Sequence, residues 1–111
     1  MFHINEKTRV FLKTGATDLR NAFEGLRGLV VQIIQQQPLS GHLFIFCNKG
    51  RNRIKCLTWD GSGMWVCAKK LEGGTFDFPK NENSVAEMSC AQLKLLLEGF
   101  EFRSRRGWYR R

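Results

Sequence analysis

The stretch spanning residues 40–72 constrains the fold most, because it holds three segments of strand character in a row. Residues 43–47 form a continuous apolar run that is long enough for a strand and too short for a helix. Residues 54–59 alternate between two faces, and residues 64–69 alternate again. Because glycine adopts positive φ without steric cost, the Asp60-Gly61 pair between those two runs predicts a hairpin. The stretch therefore predicts an antiparallel β-meander.

Basic side chains are concentrated on this meander. The loop over residues 48–53 carries three of them and no acid, and the following strands carry three more. These residues are Lys49, Arg51, Arg53, Lys55, Lys69 and Lys70. The whole chain has 18 Lys and Arg against 10 Asp and Glu, a formal charge of +8. Such a charge favours polyanionic partners, nucleic acid first and an acidic protein or membrane surface second.

Length and hydropathy limit the class of protein. With 111 residues the chain has room for one domain, which we place at residues 1–102. No apolar run approaches the roughly 20 residues of a membrane helix. The N-terminus lacks the basic and apolar segments of a secretory signal. We therefore expect a cytoplasmic protein with no membrane partner.

The potential ligands and catalytic groups form no recognisable motif. The four cysteines lack a CxxC spacing, and three of them fall inside predicted strands. A buried free cysteine behaves as a small apolar residue, so we interpret all four as structural thiols. The carboxylates show no spacing that argues for a metal-dependent nuclease, and the histidines lack an obvious nucleophile partner. We predict no catalytic residues, no metal and no cofactor.

The segments on either side of the meander complete the predicted fold. Residues 8–13 predict a strand, and a long amphipathic helix starts near Thr17 or Asp18 and stops before Pro38. Residues 75–78 predict a further short strand, and residues 80–87 a loop. Ser89 and Gln92 fit the capping box of a C-terminal helix.

The predicted class is therefore α+β. We expect an antiparallel meander sheet of about four to five strands, with one long helix packed on it and a C-terminal helix. This class leaves the oligomeric state open.

The last nine residues, 103–111, predict a basic tail. Arginines alternate there with an aromatic pair, a composition that suits phosphate pairing and base stacking. It equally suits an arm that packs back on the domain through Trp108. The candidate nucleic-acid contacts in the tail are Arg103, Arg105, Arg106, Trp108, Arg110 and Arg111.

Trp59 and Trp65 lie on either side of the predicted hairpin turn. Two aromatic side chains close together on adjacent strands can stack RNA bases, so an RNA-binding module is one functional hypothesis. Such aromatics are more often cross-strand core pairs.

Several short blocks follow one another in an order that resembles the TnpB accessory proteins of the IS66 family of bacterial insertion sequences. The resemblance extends from about residue 9 to residue 102. The blocks are Gly15-Ala16-Thr17-Asp18-Leu19-Arg20, Phe23-Glu24-Gly25-Leu26, Ser40-Gly41-His42-Leu43-Phe44-Ile45-Phe46, Trp59-Asp60-Gly61-Ser62-Gly63, Lys70-Leu71-Glu72-Gly73-Gly74-Thr75-Phe76, and Gln92-Leu93 with Leu96-Leu97-Glu98-Gly99.

The resemblance implies a small non-catalytic protein that is needed, with a second small accessory protein, for efficient transposition by the element's transposase. It also implies a bacterial cytoplasmic location, associated with the nucleoid during activity. Combined with the basic residues, this suggests contact with DNA, and the ends of the element are the candidate site. The alternative is an adaptor that binds the transposase without gripping DNA directly.

Overall fold

The computed structural model describes residues 5–98 of the chain, so the predicted boundary at residue 102 lies outside the described residues. None of the helices in this part is long and apolar enough to cross a membrane. In chain order the elements are strand β1 (Val10–Ala16), helix α1 (Phe23–Leu29), a π-helical turn (Val30–Ile34), a 3-10 turn (Pro38–Ser40), strands β2 (Leu43–Cys47), β3 (Arg53–Trp59), β4 (Met64–Lys70) and β5 (Val85–Met88), and helix α2 (Cys90–Glu98).

The five strands form one mixed sheet in the order β4-β3-β2-β1-β5. The predicted meander is confirmed, because β2, β3 and β4 pair antiparallel in sequence. The expectation of a wholly antiparallel sheet is wrong, since β1 pairs parallel with β2. Two parallel strands need a long crossover, and the helical segment between β1 and β2 provides it. The α+β class remains, with β5 antiparallel to β1 at the other edge.

The first helix is shorter than the sequence predicted. It begins at Phe23, after Ala22 in an extended conformation (φ −78°, ψ −176°). Asp18 was expected to cap the helix, but its carboxylate accepts hydrogen bonds from the backbone and side chain of Arg20 in a separate turn. The helical path ends at Gln35, where φ is +62°. The prediction of one long helix is therefore wrong.

Both faces of the sheet are covered, which explains the continuous apolar run of β2. Successive side chains of a strand point to opposite faces, so a strand buried on both sides is apolar throughout. On the α1 face, Leu26, Val30 and Ile34 of the helical segment pack on the sheet. The sheet residues there are Phe11, Phe44, Phe46 and Leu57.

The α2 face carries the larger apolar cluster. There Phe76, Phe78, Leu93 and Leu96 cover the sheet. The sheet residues beneath them are Val10, Leu12, Leu43, Ile45, Cys47 and Ile54. The domain thus has three layers, with the sheet in the middle.

Two segments near the C-terminus differ from the sequence prediction. Residues 75–78 form no strand, and they lie across the α2 face with Phe76 and Phe78 buried. Residues 85–88 form β5 by pairing with β1, although residues 80–87 were expected to be a loop. The capping box is confirmed, because the Ser89 N–H donates to Gln92 Oε1 at 2.8 Å and the Gln92 N–H donates to Ser89 Oγ at 3.1 Å.

Candidate nucleic-acid interface

A groove of about 830 Å³ opens at the end of the sheet, beside the turn that precedes α1. Its walls are the segment after β1, the loop between β2 and β3, and the adjoining ends of β3 and β4. We call it the basic groove, because six of its seven charged lining residues are cationic. These seven are Asp18, Arg20, Lys49, Arg53, Lys55, Lys69 and Lys70.

Strand alternation and register place three of these cations on the α1 face. Arg53 and Lys55 are two residues apart on β3, and Lys70 lies directly opposite Arg53 on β4. Like charges that face each other across a strand pair destabilise a sheet. The Lys55 ammonium lies 3.5 Å from the backbone oxygen of Asn21, which places it at the start of α1. An anion in the groove would relieve the repulsion between these side chains.

Lys69 borders the groove but directs its side chain elsewhere. It pairs with Ile54, which belongs to the α2 face. Its ammonium donates to the carbonyl of Leu97 at 2.7 Å, in the last turn of α2. A cation at this position satisfies one of the carbonyls that a helix end leaves without a partner. Lys69 therefore has a structural role that Lys70 lacks.

The basic loop is held rigidly by the side chain of Asn48. Asn48 Oδ1 accepts from the backbone N–H groups of Asn52 and Arg53, both at 3.0 Å, and its amide nitrogen donates to Asn52 Oδ1 at 2.8 Å. The carbonyl of Arg51 accepts from the N–H of Phe76 at 2.7 Å, which ties the loop to the α2 face. A loop bonded in this way presents its cations in a fixed arrangement.

Arg51 lies on the other side of this loop from the groove. Its φ is +58°, a left-handed conformation that is uncommon for a residue with a side chain. It lines a smaller hollow of about 230 Å³ with Pro79, Lys80 and Glu82. Lys49 borders both cavities. The structure therefore separates Arg51 from Arg53 and Lys55, although these three residues lie within five positions of sequence.

Asp18 is the acid of the groove, and Arg20 neutralises it. Arg20 Nη2 lies 2.7 Å from Asp18 Oδ2, and Arg20 Nε donates to both carboxylate oxygens. These hydrogen bonds lower the pKa of the Asp18 carboxyl to about 2. Asp18 stays ionised at neutral pH but faces its own counter-ion, so it does not offset the remaining cations.

A buried hydroxyl also lines the groove. Thr17 is 7% exposed, and its Oγ1 has no hydrogen-bond partner within residues 5–98. A buried polar group without a partner destabilises the fold by about 1–3 kcal/mol. A hydroxyl can either donate to or accept from a bound group, so a ligand oxygen or water in the groove would satisfy Thr17.

Sequence reasoning missed Thr17, Asp18 and Arg20 as groove residues, because it assigned them to the start of a helix. The one sequence signal that could have indicated these groove residues is the block of residues 15–20, which is one of the segments that carry the family resemblance. The tail contacts predicted at residues 103–111 lie outside the described residues.

The two tryptophans of the hairpin do not form a common stacking surface. Trp59 pairs with Met64, whereas Trp65 pairs with Thr58, so the two indoles project from opposite faces of the sheet. The Trp65 Nε1–H donates to Asp60 Oδ2 at 2.7 Å. The RNA-binding interpretation, which needed both rings on one surface, is therefore wrong in its geometry.

The cysteines belong to the α2 face. Cys47 and Ile54 lie in its core, Cys56 and Cys90 pack against that core, and Cys67 pairs with Cys56 across β3 and β4. Burial raises the pKa of the Cys47 thiol to about 11 and that of Cys56 to about 12. Among residues 5–98 no group of three or more His, Cys, Asp or Glu is placed to hold a metal ion.

Comparison with known proteins gives one family and two curated relatives. The profile of the family described as IS66 Orf2 like protein matches residues 8–107. The uncharacterized protein y4hO of Sinorhizobium fredii is 34% identical over 103 residues, which cover 93% of this chain and 90% of that protein. The uncharacterized protein y4jC of the same organism is 35% identical over 94 residues, 85% of this chain and 80% of that protein. No solved structure matches the chain.

Proposed function

The chain belongs to the family of IS66 Orf2 like proteins, and on this premise we propose that it is a non-catalytic accessory factor in transposition that contacts DNA through the basic groove. Membership of the family gives an accessory role related to transposition. The proposal adds three points to that role. They are the contact with DNA, the element's transposase as a partner, and a second small protein as a partner.

The observation that carries the DNA contact is the set of groove cations that have no ion-pair partner within residues 5–98. Arg53 and Lys70 face each other across the sheet, and Lys55 lies beside them on the same face. Lysine and arginine contacts to phosphate supply most of the affinity of non-specific DNA binding. A phosphate group between these side chains replaces repulsion with three attractive pairs.

The groove is better suited to phosphates than to base edges. The amide of Asn48, a group able to read adenine, is used by hydrogen bonds within its own loop. Phosphate contacts fix the position of a protein on DNA and carry no sequence information directly. We therefore expect this groove to bind duplexes of different sequence with similar affinity.

The proposal is tested by replacing two groove cations. Each lysine or arginine that meets a phosphate contributes about 0.9 to the slope of log K against log salt. The Arg53→Ala/Lys55→Ala variant should lower that slope by about 2 relative to the wild type. The measurement is fluorescence anisotropy across a salt series, with the element's terminal inverted repeat and a scrambled duplex of equal length.

The matched control is Lys7→Ala/Lys94→Ala. It removes the same charge from exposed positions that do not line the groove, so its slope should remain that of the wild type. Equal slopes for the two double variants would show that binding depends on total charge and would remove the groove from the interface. Tighter binding to the inverted repeat than to the scrambled duplex would contradict the expected tolerance of sequence.

A second candidate function is the adaptor that binds the transposase without gripping DNA. The observation in its favour is Trp65, a large aromatic residue 37% exposed on an edge strand. Exposed aromatic residues are enriched among the residues that dominate protein interfaces. Binding through such anchors should persist at 300 mM salt, whereas binding dominated by phosphate contacts should weaken by orders of magnitude.

A further inference from the structure

The outer edge of β4 is the long unpaired edge of the sheet. β4 pairs with β3 over seven consecutive residues without a register shift, and no strand within residues 5–98 pairs with its other side. The opposite edge, β5, is only four residues long. A long, regular and uncovered edge strand is a template for pairing with another chain.

The hydrogen bonds around β3 determine which groups of β4 point outward. The N–H of Leu71 donates to the carbonyl of Asn52, and the N–H of Asp60 donates to the carbonyl of Gly63. These two bonds determine which residue pairs between β3 and β4 are hydrogen-bonded. Trp65, Cys67 and Lys69 therefore exchange bonds with β3. The backbone N–H and C=O groups that face away from the sheet belong to Met64, Val66, Ala68 and Lys70.

These outward groups are symmetric about the middle of the strand. Cys67 is the central residue of Met64–Lys70. If two copies of β4 run antiparallel with Cys67 opposite Cys67, Val66 pairs with Ala68 and Met64 with Lys70 of the second copy. All the outward groups are then used in about eight hydrogen bonds. A register slipped in either direction leaves some of them unpaired.

The charges of β4 favour this arrangement over a parallel one. Its lysines, Lys69 and Lys70, both lie at one end of the strand. In the antiparallel pair the Lys70 residues of the two copies are about 20 Å apart, given a rise of about 3.3 Å per residue. That distance is about two and a half times the screening length of about 8 Å at physiological salt, so their repulsion is weak. Parallel pairing would bring like charges directly opposite each other.

We propose that two copies of this chain associate through their β4 edges, antiparallel and centred on Cys67, to form a continuous ten-stranded sheet. The two-fold axis of such a pair is perpendicular to the sheet, so the basic grooves of both copies lie on the same face. The inference does not depend on the proposed DNA contact. A monomer could still bind DNA, and a dimer could still fail to bind it.

Residues 99–111, which lie outside the described residues, are the alternative occupant of this edge. The carbonyl of Leu97 contacts the Lys69 ammonium, so the last described turn of α2 lies beside β4. Residues 99–111 carry five arginines and one acid, and pairing them with β4 would place like charges near Lys69 and Lys70. The charge therefore favours a second copy, and the experiment distinguishes the two occupants by their dependence on concentration.

The test on the full-length wild type is hydrogen exchange followed residue by residue at several protein concentrations. In the dimer the N–H groups of Val66 and Ala68 donate to the second copy and should exchange slowly. On dilution they should become as fast as exposed amides, while Cys67, bonded to β3, stays protected. Protection of Val66 and Ala68 that does not change with concentration would assign the edge to residues 99–111 and overturn the proposal. Fast exchange at every concentration would overturn it as well.

A variant pair tests the same contact by sedimentation equilibrium. Val66→Pro removes an outward N–H and leaves the bonds to β3 in place. Two hydrogen bonds of the symmetric dimer are lost, so its dissociation constant should rise at least about 30-fold. Val66→Thr keeps the N–H and the β-branched shape, and should dimerise like the wild type. Equal dissociation constants for both variants, or a monomeric wild type at high concentration, would contradict the proposal.

Discussion

Both faces of the sheet carry an apolar core, but the faces differ at the end where β3 begins. On the α2 face, Phe76, Phe78 and α2 cover this end. On the α1 face the helix begins only at Phe23, and the segment before it forms a groove wall instead of a cover. One face is therefore closed by apolar packing, whereas the other stays open where its cations are placed.

Lys69 and Lys70 show the difference within two consecutive residues. The Lys69 side chain is on the closed face and donates to a helix carbonyl. The Lys70 side chain is on the open face, opposite Arg53. Two adjacent lysines of the same strand thus have a structural role and a candidate binding role, because a strand directs successive side chains to opposite faces.

The largest expected effect is on the closed face. Phe76 is fully buried there, and Phe76→Ala should lower the free energy of unfolding by about 3–5 kcal/mol through the cavity it leaves. Urea unfolding measures the loss. The adjacent exposed residue gives a matched control, since Asp77→Ala should change stability by less than about 0.5 kcal/mol. Similar losses for both variants would mean that residues 75–78 do not cover the sheet.

Alkaline pH should weaken the closed face selectively, because Cys47 and Cys56 lie there. Burial is the main cause of the raised pKa of both thiols, which is about 11 for Cys47 and about 12 for Cys56. In the unfolded chain they ionise near pH 9, so folding favours the neutral thiol. Their contribution to stability is complete below pH 9 and is lost as pH rises toward 11–12, by up to about 1.4 kcal/mol per pH unit for each thiol.

Urea unfolding at pH 7.5, 9 and 10 measures this loss, which we expect to reach about 3 kcal/mol at pH 10. The Cys56→Ala variant should show a shallower decline above pH 9, because one of the two thiols is gone. An identical decline in Cys56→Ala would assign the alkaline effect to other groups and remove this distinction between the faces.

The smallest and sharpest test compares the two adjacent lysines. Lys70→Ala should lower the salt slope of DNA binding by about 0.9 and leave stability nearly unchanged. Lys69→Ala should leave the slope unchanged and lower stability by about 0.3–1 kcal/mol, because α2 loses a cation at its C-terminal end. Anisotropy and urea unfolding of both variants measure the two quantities. A reversed pattern would exchange the roles assigned to the two faces.

Local patterns predicted the elements whose signals lie close together in sequence. The alternation of residues 54–59 and 64–69 with Asp60-Gly61 between them gave the β3–β4 hairpin, and Asp60 Oδ1 indeed accepts from the N–H groups of Ser62 and Gly63. The Ser89–Gln92 capping box gave the start of α2. In both cases the residues that decide the structure are within a few positions of each other.

Long-range contacts decided what local patterns got wrong. Residues 80–87 are together polar enough to suggest a loop, yet the free edge of β1 recruits residues 85–88 as a strand. Residues 75–78 have strand character, yet Phe76 and Phe78 are used to cover the α2 face. The helical pattern after Thr17 was broken by the bonds between Asp18 and Arg20, which compete with helix formation.

By itself the sequence determined the antiparallel meander, the capped C-terminal helix, the strongly basic character and the resemblance to a family of transposition accessory proteins. Only the tertiary structure decided that β1 runs parallel to β2, that Arg51 is separated from Arg53, and that Lys69 and Lys70 serve different faces. The physical reason is that composition and spacing fix which side chains share a strand face. Which face is covered and which cations meet depends on packing between segments far apart in the chain.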